Sequence, residues 1–470
     1  MGQTVEMPLW ALVLLVAFAA VTFASHFLFP SVRWFFRRRM ERAVARLNER
    51  LERPIEPFKL ARRHDMIQRL IYDPEVSRAI AAHASEEGIP ENVAFEHARR
   101  YAREIVPSFS ASLYFGVAIR AARMLSRALY RVRLGQFDEA ALARIDREAT
   151  VVFVMNHRSN MDYVLVTWLA AERSALSYAV GEWARVWPLS RMIRAMGAYF
   201  IRRRSRGALY RRVLARYVGL ATDGGVTQAV FPEGGLSLSG ALQPPKMGLL
   251  KYLVEERSAG GRDVVFVPVA LNYDRVLEDR LLVAADQAGG RRFPARISVI
   301  ARFVLRQVWL RLRGRYHRHG RAAVSFGAPL SLKAFERAQP DAGVEGLARA
   351  LMARIGTEVP LLPVPLVARA LICAGGAMDR AALERAVAEM VAQVPQAVLH
   401  PQEGGDDDAG AVAHFGVQAL AGRGMVSLAG EGVEIAPEER AMVAYYAASI
   451  AHHFRACGEE EQDFSASAGS

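Results

Sequence analysis

Val151-Val152-Phe153-Val154-Met155-Asn156-His157-Arg158-Ser159-Asn160-Met161-Asp162 is the stretch from which the rest of the chain can be read. Its first five residues are apolar and mostly β-branched or aromatic, which suits a buried strand. It then turns polar, with a histidine and, five positions later, a carboxylate. Five positions on a straight helix rotate about 500°, so His157 and Asp162 would not share a helical face. They can meet if a tight turn leads from the strand into a helix. Asn160 and Asp162 are plausible helix starters, and Tyr163 to Ala170 supplies the apolar helix that follows. A carboxylate on Nδ1 fixes the imidazole tautomer and leaves Nε2 as a general base. With no protein nucleophile nearby, the hydroxyl to be activated belongs to a substrate. A buried histidine with a polar partner would give the same local pattern, so the remaining chain has to decide.

The chain has 470 residues, enough for a large core and two or three structural units. Its net charge is +13 and 52% of its residues are hydrophobic. That balance fits nucleic acid, an anionic membrane surface or phosphorylated substrates, and does not choose among them. Cys373 and Cys457 are the only cysteines, too few for a disulfide framework or a zinc site, so a reducing compartment is the default expectation. No His/Cys cluster has metal-ligand spacing, and no metal or resident cofactor is expected.

Residues 7–29 are almost wholly apolar and would span about 34 Å as a helix, enough for a hydrocarbon core of ~30 Å. Six arginines between Arg33 and Arg46 follow, whereas Glu6 is the only charge before. This order fits a secretory signal poorly and places everything after residue 30 in the cytoplasm. The expectation is a membrane anchor over 1–30 and a helical, membrane-proximal region over 31–135. Within that region, Phe109, Leu113, Tyr114, Val117 and Ile119 lie near repeated arginines and suit lipid headgroups.

From Val151 to about Leu332 short apolar strands alternate with helical stretches, so an α/β domain with a mixed sheet flanked by helices is expected over 136–335. The strand candidates are Thr150–Met155, Tyr199–Ile201, Thr227–Phe231, Val264–Leu271 and Ala322–Phe326. Polar clusters follow the strands, where ligands of such sheets gather. Tyr199–Ile201 empties into Arg202 and Arg203, whose forked donors suit phosphate. Phe231 leads into Pro232-Glu233-Gly234-Gly235-Leu236-Ser237, with Lys246 a loop later. Without a nucleophile elbow, Ser237 is a poor nucleophile. Pro268 in Val264–Leu271 implies an edge strand or a bulge. Residues 336–470 are expected to be mostly helical, interrupted by LLPVPL at 361–366. Gln402–Gly410 is expected to be flexible, and the acidic last dozen residues are expected to be disordered.

Asn156-His157-Arg158-Ser159-Asn160-Met161-Asp162, Gly197–Arg203, Phe231-Pro232-Glu233-Gly234 with Ser237, and Val267-Pro268-Val269 together resemble the glycerolipid acyltransferase superfamily. Within it they are most similar to the bacterial membrane-bound glycerol-3-phosphate 1-acyltransferases. The resemblance covers roughly residues 145–330, with a fainter likeness in the aromatic, histidine-containing stretch Ala444–Phe454. It implies transfer of a fatty acyl chain from acyl-CoA or acyl carrier protein to glycerol-3-phosphate at the bacterial inner membrane, with membrane lipid as a partner. His157 and Asp162 would be catalytic. Arg202, Arg203, Glu233, Gly234, Gly235, Ser237 and Lys246 would bind the acceptor. The family usually has an arginine where this chain has Leu236, which leaves 1-acyl-glycerol-3-phosphate or another lysolipid as an alternative acceptor. A basic scaffold or nucleic-acid binder, resting on Arg311, Arg313, Arg315, Arg318 and Arg321 with Trp309 and Tyr316, is the reading from another class. No nucleic-acid module supports it, and no nucleic-acid partner is expected.

Overall fold

The computed structural model describes residues 8–10, 12–17, 38–39, 42, 44–49, 51–170, 175–181, 189–202, 207–258, 260–289, 319–395, 409–454 and 457. Arg203, Arg311 to Arg318, Gln402 to Asp408, the acidic C-terminus and most of 7–29 lie outside them. Two compact units are distinguished, 1–55 and 56–470. In the first, residues 9–10 and 12–17 are helical and exposed. Among the described residues no helix is long and apolar enough to cross a membrane.

The second unit is built on one mixed sheet. Its strands are β1 (Arg131–Phe137), β2 (Thr150–Met155), β3 (Ser177–Val180), β4 (Tyr199–Phe200), β5 (Gln228–Val230), β6 (Val264–Tyr273), β7 (Arg321–Phe326) and β8 (Leu330–Ser331). The order is β1-β7-β6-β2-β5-β3-β4, with β8 also against β6. From β6 through β2, β5 and β3 to β4 every pair is parallel, while β7 and β8 run antiparallel to β6. Every residue of β2 and β6 is buried, the continuous apolar run expected of parallel strands covered on both faces. The carboxyl ends of β2, β4, β5 and β6 therefore open on one edge.

Three strands of this sheet, β1, β3 and β8, carried no sequence expectation. β1 starts within the run read as helical and crosses the boundary expected between the membrane-proximal and catalytic regions. It takes its place by pairing with β7, which supplies partners from Arg321 onward. Pro268 is not on an edge, because β6 is paired on both sides. Its carbonyl accepts from Gly327 N at 2.8 Å, so the side on which it lacks an N–H faces the short break between β7 and β8. Three steps on β6, from Val269 to Phe266, face four on the partner, from Phe326 to Leu330. That extra residue is a bulge, the other arrangement the proline implied.

Helices Arg63–Ile71, Pro74–Glu87 and Glu91–Ile105 pack through small and branched side chains against helix Ala208–Asp223. Ala94, Ala98 and Ala102 are fully buried, one per turn, which permits close approach. Tyr114, expected near headgroups, is buried, and its hydroxyl accepts from Leu176 N at 3.0 Å. On the helix that continues to Leu129, Val117, Met124 and Leu125 are exposed.

The C-terminal part has helices Gly343–Glu358, Pro363–Cys373, Arg380–Ala392, Ala409–Ala421 and Arg440–Ala448. A small antiparallel sheet, β9 (Ala377–Asp379), β10 (Val426–Ala429) and β11 (Gly432–Ile435), lies among them in the order β10-β11-β9. The LLPVPL stretch does not interrupt the fold. Pro363 starts a helix, where a missing N–H is not needed. Cys373 and Cys457 are joined in a disulfide, with Cα atoms 5.1 Å apart, so the cysteine count did not imply free thiols.

Asp73 ties the helical layer to the core. Its carboxylate caps helix Pro74–Glu87 through Glu75 N at 2.9 Å and takes Arg216 Nε and Nη2 at 3.1 and 2.9 Å. Asp73→Ala removes cap and ion pair together and is expected to cost about 2–4 kcal/mol, against about 1 kcal/mol for Asp73→Asn, which keeps the cap. Denaturant titration of both variants measures the difference.

Candidate active site

The turn after β2 is fixed first by Asn156. Its amide bonds both backbone groups of Leu271 on β6, accepting from N at 2.8 Å and donating to O at 2.9 Å. The chain then leaves the sheet, and helix Met161–Leu169 begins five positions after Asn156. The turn brings the five-residue spacing together: His157 Nδ1 lies 2.9 Å from Asp162 Oδ2. The same oxygen accepts the amides of Arg158 and Ser159 at 2.7 and 3.0 Å. Tyr273, the last residue of β6, donates its hydroxyl to Asp162 Oδ1 at 2.5 Å. Asp162 is fully buried, and its hydrogen-bond donors replace the water it loses there. As an acceptor it fixes the proton on Nδ1 and leaves Nε2 with its lone pair.

The imidazole is also held by packing. It stacks on Phe231 with ring centres 4.0 Å apart and meets Tyr163 edge-on at 5.5 Å. The start of the following helix is capped by Ser159, whose Oγ accepts Met161 N at 3.1 Å, and by Glu278. Glu278 accepts Ser159 Oγ at 2.8 Å and Asn160 Nδ2 at 3.0 Å. Asn160 itself makes no side-chain cap. Glu278 carried no signal in the sequence, because its partners lie over a hundred positions away. Tyr273 gains a place beside the pair through its hydrogen bond to Asp162.

The loop after β5 closes on the same turn. Glu233 Oε1 accepts His157 N at 3.1 Å, and Ser237 N donates to His157 O at 3.0 Å. Burial pushes the Glu233 carboxyl up to about 8, against the opposing pull of His157 N and the Arg158 charge. The Ser237 hydroxyl donates to Ala241 O at 2.6 Å and is committed to the loop. Gly234 has φ +67°, and a Cβ there would come within 2.8 Å of the Lys246 side chain. Gly235 lies half-buried in the same loop, and the Lys246 side chain crosses Gly234 as an exposed residue. Leu236, in the place of the usual arginine, packs partly buried against the core.

Arg202 stands apart. It follows β4, three strands from β2, or about 14 Å at the usual spacing. Its guanidinium makes a bidentate pair with Glu104 at 2.8 and 2.6 Å and lies over the rings of Tyr101 and Tyr210. Thus His157, Asp162, Glu233, Gly234, Gly235, Ser237 and Lys246 gather around β2 and β5, and Arg202 occupies the far end of the same edge. Among the described residues no cluster of His, Cys, Asp or Glu is arranged to hold a metal.

This arrangement can act as a general base with its orienting carboxylate, and among the described residues no protein nucleophile stands beside it. Residues 138–272 match the Acyltransferase family model, and 307–456 match the model of the Glycerol-3-phosphate acyltransferase C-terminal region. A glycerol-3-phosphate acyltransferase of Aeromonas hydrophila is 29% identical over 348 residues, covering 70% of this chain and 41% of the relative. One of Shewanella amazonensis is 32% identical over 62% of this chain and 35% of its own length. One of Pseudomonas putida (strain KT2440) is 27% identical over 73% and 43%. The chain thus spans well under half the length of these relatives. The crystal structure of a 1-acyl-sn-glycerophosphate acyltransferase from Thermotoga maritima aligns with 55% of this chain and 83% of its own, at 18% identity and a TM-score of 0.30.

Two outcomes follow from the geometry. Tyr273→Phe frees one Asp162 oxygen and is expected to lower turnover about tenfold with a small loss of stability, measured by steady-state kinetics and thermal melting. Glu233 holds its proton to a higher pH folded than unfolded. The stability this proton confers is complete below the usual 4.5 and is lost as the pH rises to about 8. Glu233→Gln removes that dependence, so melting temperatures of the variant across pH 5–8 are expected to fall less than those of the wild type.

Proposed function

We propose that this chain, which belongs to the glycerolipid acyltransferases by its acyltransferase domain and its glycerol-3-phosphate acyltransferase C-terminal region, acylates the sn-1 hydroxyl of glycerol-3-phosphate. The donor is acyl-CoA or acyl carrier protein. The observation that carries this reading is His157 held through Nδ1 by Asp162, which turns the lone pair of Nε2 away from that bond, beside a Ser237 hydroxyl already committed to Ala241.

The acceptor hydroxyl gives its proton to His157 Nε2 as its oxygen attacks the thioester carbonyl. Asp162 stabilises the imidazolium that forms. The tetrahedral adduct then collapses, breaking the carbon–sulfur bond, and the thiolate takes the proton back from His157. General-base catalysis of this kind supplies about 10²–10⁴-fold, and holding both substrates together supplies more. Glu233, Gly234, Gly235 and Ser237 shape the acceptor pocket. Lys246, exposed above Gly234, is the nearest cation of this loop for a phosphate, with Arg203 and Arg202 as further contributors. Arg202 would have to share its guanidinium with Glu104.

Attachment to the bacterial inner membrane, with the catalytic domain on the cytoplasmic side, suits a product that partitions into lipid. The apolar run of 7–29 with the arginines after it supports an anchor. Exposed Val117, Met124 and Leu125, with exposed Arg120, Arg123 and Arg127 on the same helix, support contact with anionic lipid. A second reading has its own observation. Leu236 in place of an arginine and Arg202 paired with Glu104 both weaken a phosphate clamp, which favours 1-acyl-glycerol-3-phosphate or another lysolipid as acceptor.

The test is acyl transfer by the full chain in lipid, with labelled glycerol-3-phosphate and, separately, 1-acyl-glycerol-3-phosphate, for wild type and His157→Ala. Activity on the first acceptor, reduced about 10²–10⁴-fold in the variant, is the expected result. Activity confined to the second moves the enzyme to the lysolipid reading. Silence with both, across CoA and carrier-protein donors, overturns the assignment.

A further inference from the structure

Arg158 is a poor candidate for a solvated charge. The residue is 3% exposed, and its Nη1 donates to Gly240 O. Its Nε and Nη2 have no hydrogen-bond partner among the described residues. What covers the guanidinium is the ring of Tyr445, centred 4.9 Å away. Tyr445 is itself 2% exposed, and its hydroxyl has no partner among the described residues. Its contribution to this contact is therefore its aromatic face. Gly240 completes the contact: it has φ +87°, and a Cβ would fall 2.0 Å from Tyr445 O. The catalytic turn, the loop after β5 and helix Arg440–Ala448 meet here with no room to spare.

The next residue on that helix does the reverse. Successive helical positions point about 100° apart, so Tyr446 faces a different neighbour. Its hydroxyl donates to Asp279 Oδ2 at 2.5 Å and accepts from Val276 N at 3.1 Å and Arg423 Nη1 at 3.0 Å. Val276 and Asp279 lie on either side of Glu278, which holds Ser159 and Asn160. The same segment follows Tyr273, which holds Asp162. One helix thus supports the dyad from two sides, through the ring of Tyr445 and through the hydroxyl of Tyr446.

We propose that helix Arg440–Ala448 is a clamp on the His157 turn, with Arg158, Tyr445 and Tyr446 as positioning residues, and that this is how the C-terminal region takes part in acyl transfer. The division of labour makes the two tyrosines respond oppositely to the loss of their hydroxyls. Tyr445→Phe keeps the ring over Arg158, whereas Tyr445→Leu removes it. Tyr446→Phe keeps the packing but leaves Asp279, Arg423 and Val276 N short of a partner.

The kinetic side of the test rests on the acyl-transfer reading, so it is paired with one that does not. The amides of Arg158 and Ser159 donate to Asp162 only while the turn is intact, so their hydrogen exchange, followed by mass spectrometry on the full chain in lipid, reports the clamp directly. Tyr445→Leu and Tyr446→Phe are expected to speed exchange across 157–161 while Tyr445→Phe matches wild type. In kinetics the first two are expected to lose about ten- to a hundredfold in kcat with little change in acceptor KM, at a melting temperature that keeps the protein folded at assay temperature. Equal damage from Tyr445→Phe and Tyr445→Leu, or wild-type exchange in Tyr446→Phe, overturns the proposal. If no acceptor is turned over, the exchange result still decides the clamp, and the failure belongs to the functional reading alone.

Discussion

A fully buried carboxylate is tolerable only when its oxygens are saturated with donors, and Asp162 is the group around which this condition is met. One oxygen takes a ring N–H and two backbone amides, and the other takes a tyrosine hydroxyl. Each donor is delivered by a different structural decision. The amides require the turn to curl back on itself, the ring N–H requires His157 to leave the strand on the proper side, and the hydroxyl requires β6 to run to Tyr273. Loss of any one donor leaves part of the charge uncompensated in a low-dielectric interior, where the penalty is steep. The sheet order, with β6 beside β2, follows the same need. Asn156 secures it by bonding β6 one residue before the turn begins.

Around that centre the electrostatics are graded. Asp162 has donors on both oxygens, while Glu233, on the other side of His157, accepts the His157 amide and lies in an environment that favours its neutral form. Two carboxyls about one histidine are thus set apart by their surroundings, one surrounded by donors and the other pushed upward by burial. The Arg158 charge offsets part of the Glu233 burial without contacting it as an ion pair. The cationic side chain beside this loop, Lys246, is exposed and crosses a glycine that could be nothing larger.

Much of this was legible in the chain. β2 ends where its apolar run does, and the break after Met155 announced the turn. His157 and Asp162 could be paired from their spacing because a turn is local. The reading failed where the decisive partner is remote. β1 looks helical because nothing nearby shows that β7, almost two hundred residues on, will pair with it. Arg202 pairs with Glu104, on a helix of the flanking layer, a partner nothing in its own stretch announces. Pro268 is a different case, because one of the two arrangements it implied, a bulge, is the one found. Two cysteines 84 positions apart carry no sign that the fold returns one to the other.

The break opposite Pro268 also limits how the strands can be assembled. A ring nitrogen cannot join a ladder, so β7 cannot slide further along β6 without setting a carbonyl against it. The three residues Gly327-Ala328-Pro329 carry the chain past this point before pairing resumes at Leu330. A single proline therefore acts as a register stop. It halts one ladder at Val269, admits only a bulged continuation, and selects against the slipped pairings that a long run of valines would otherwise allow.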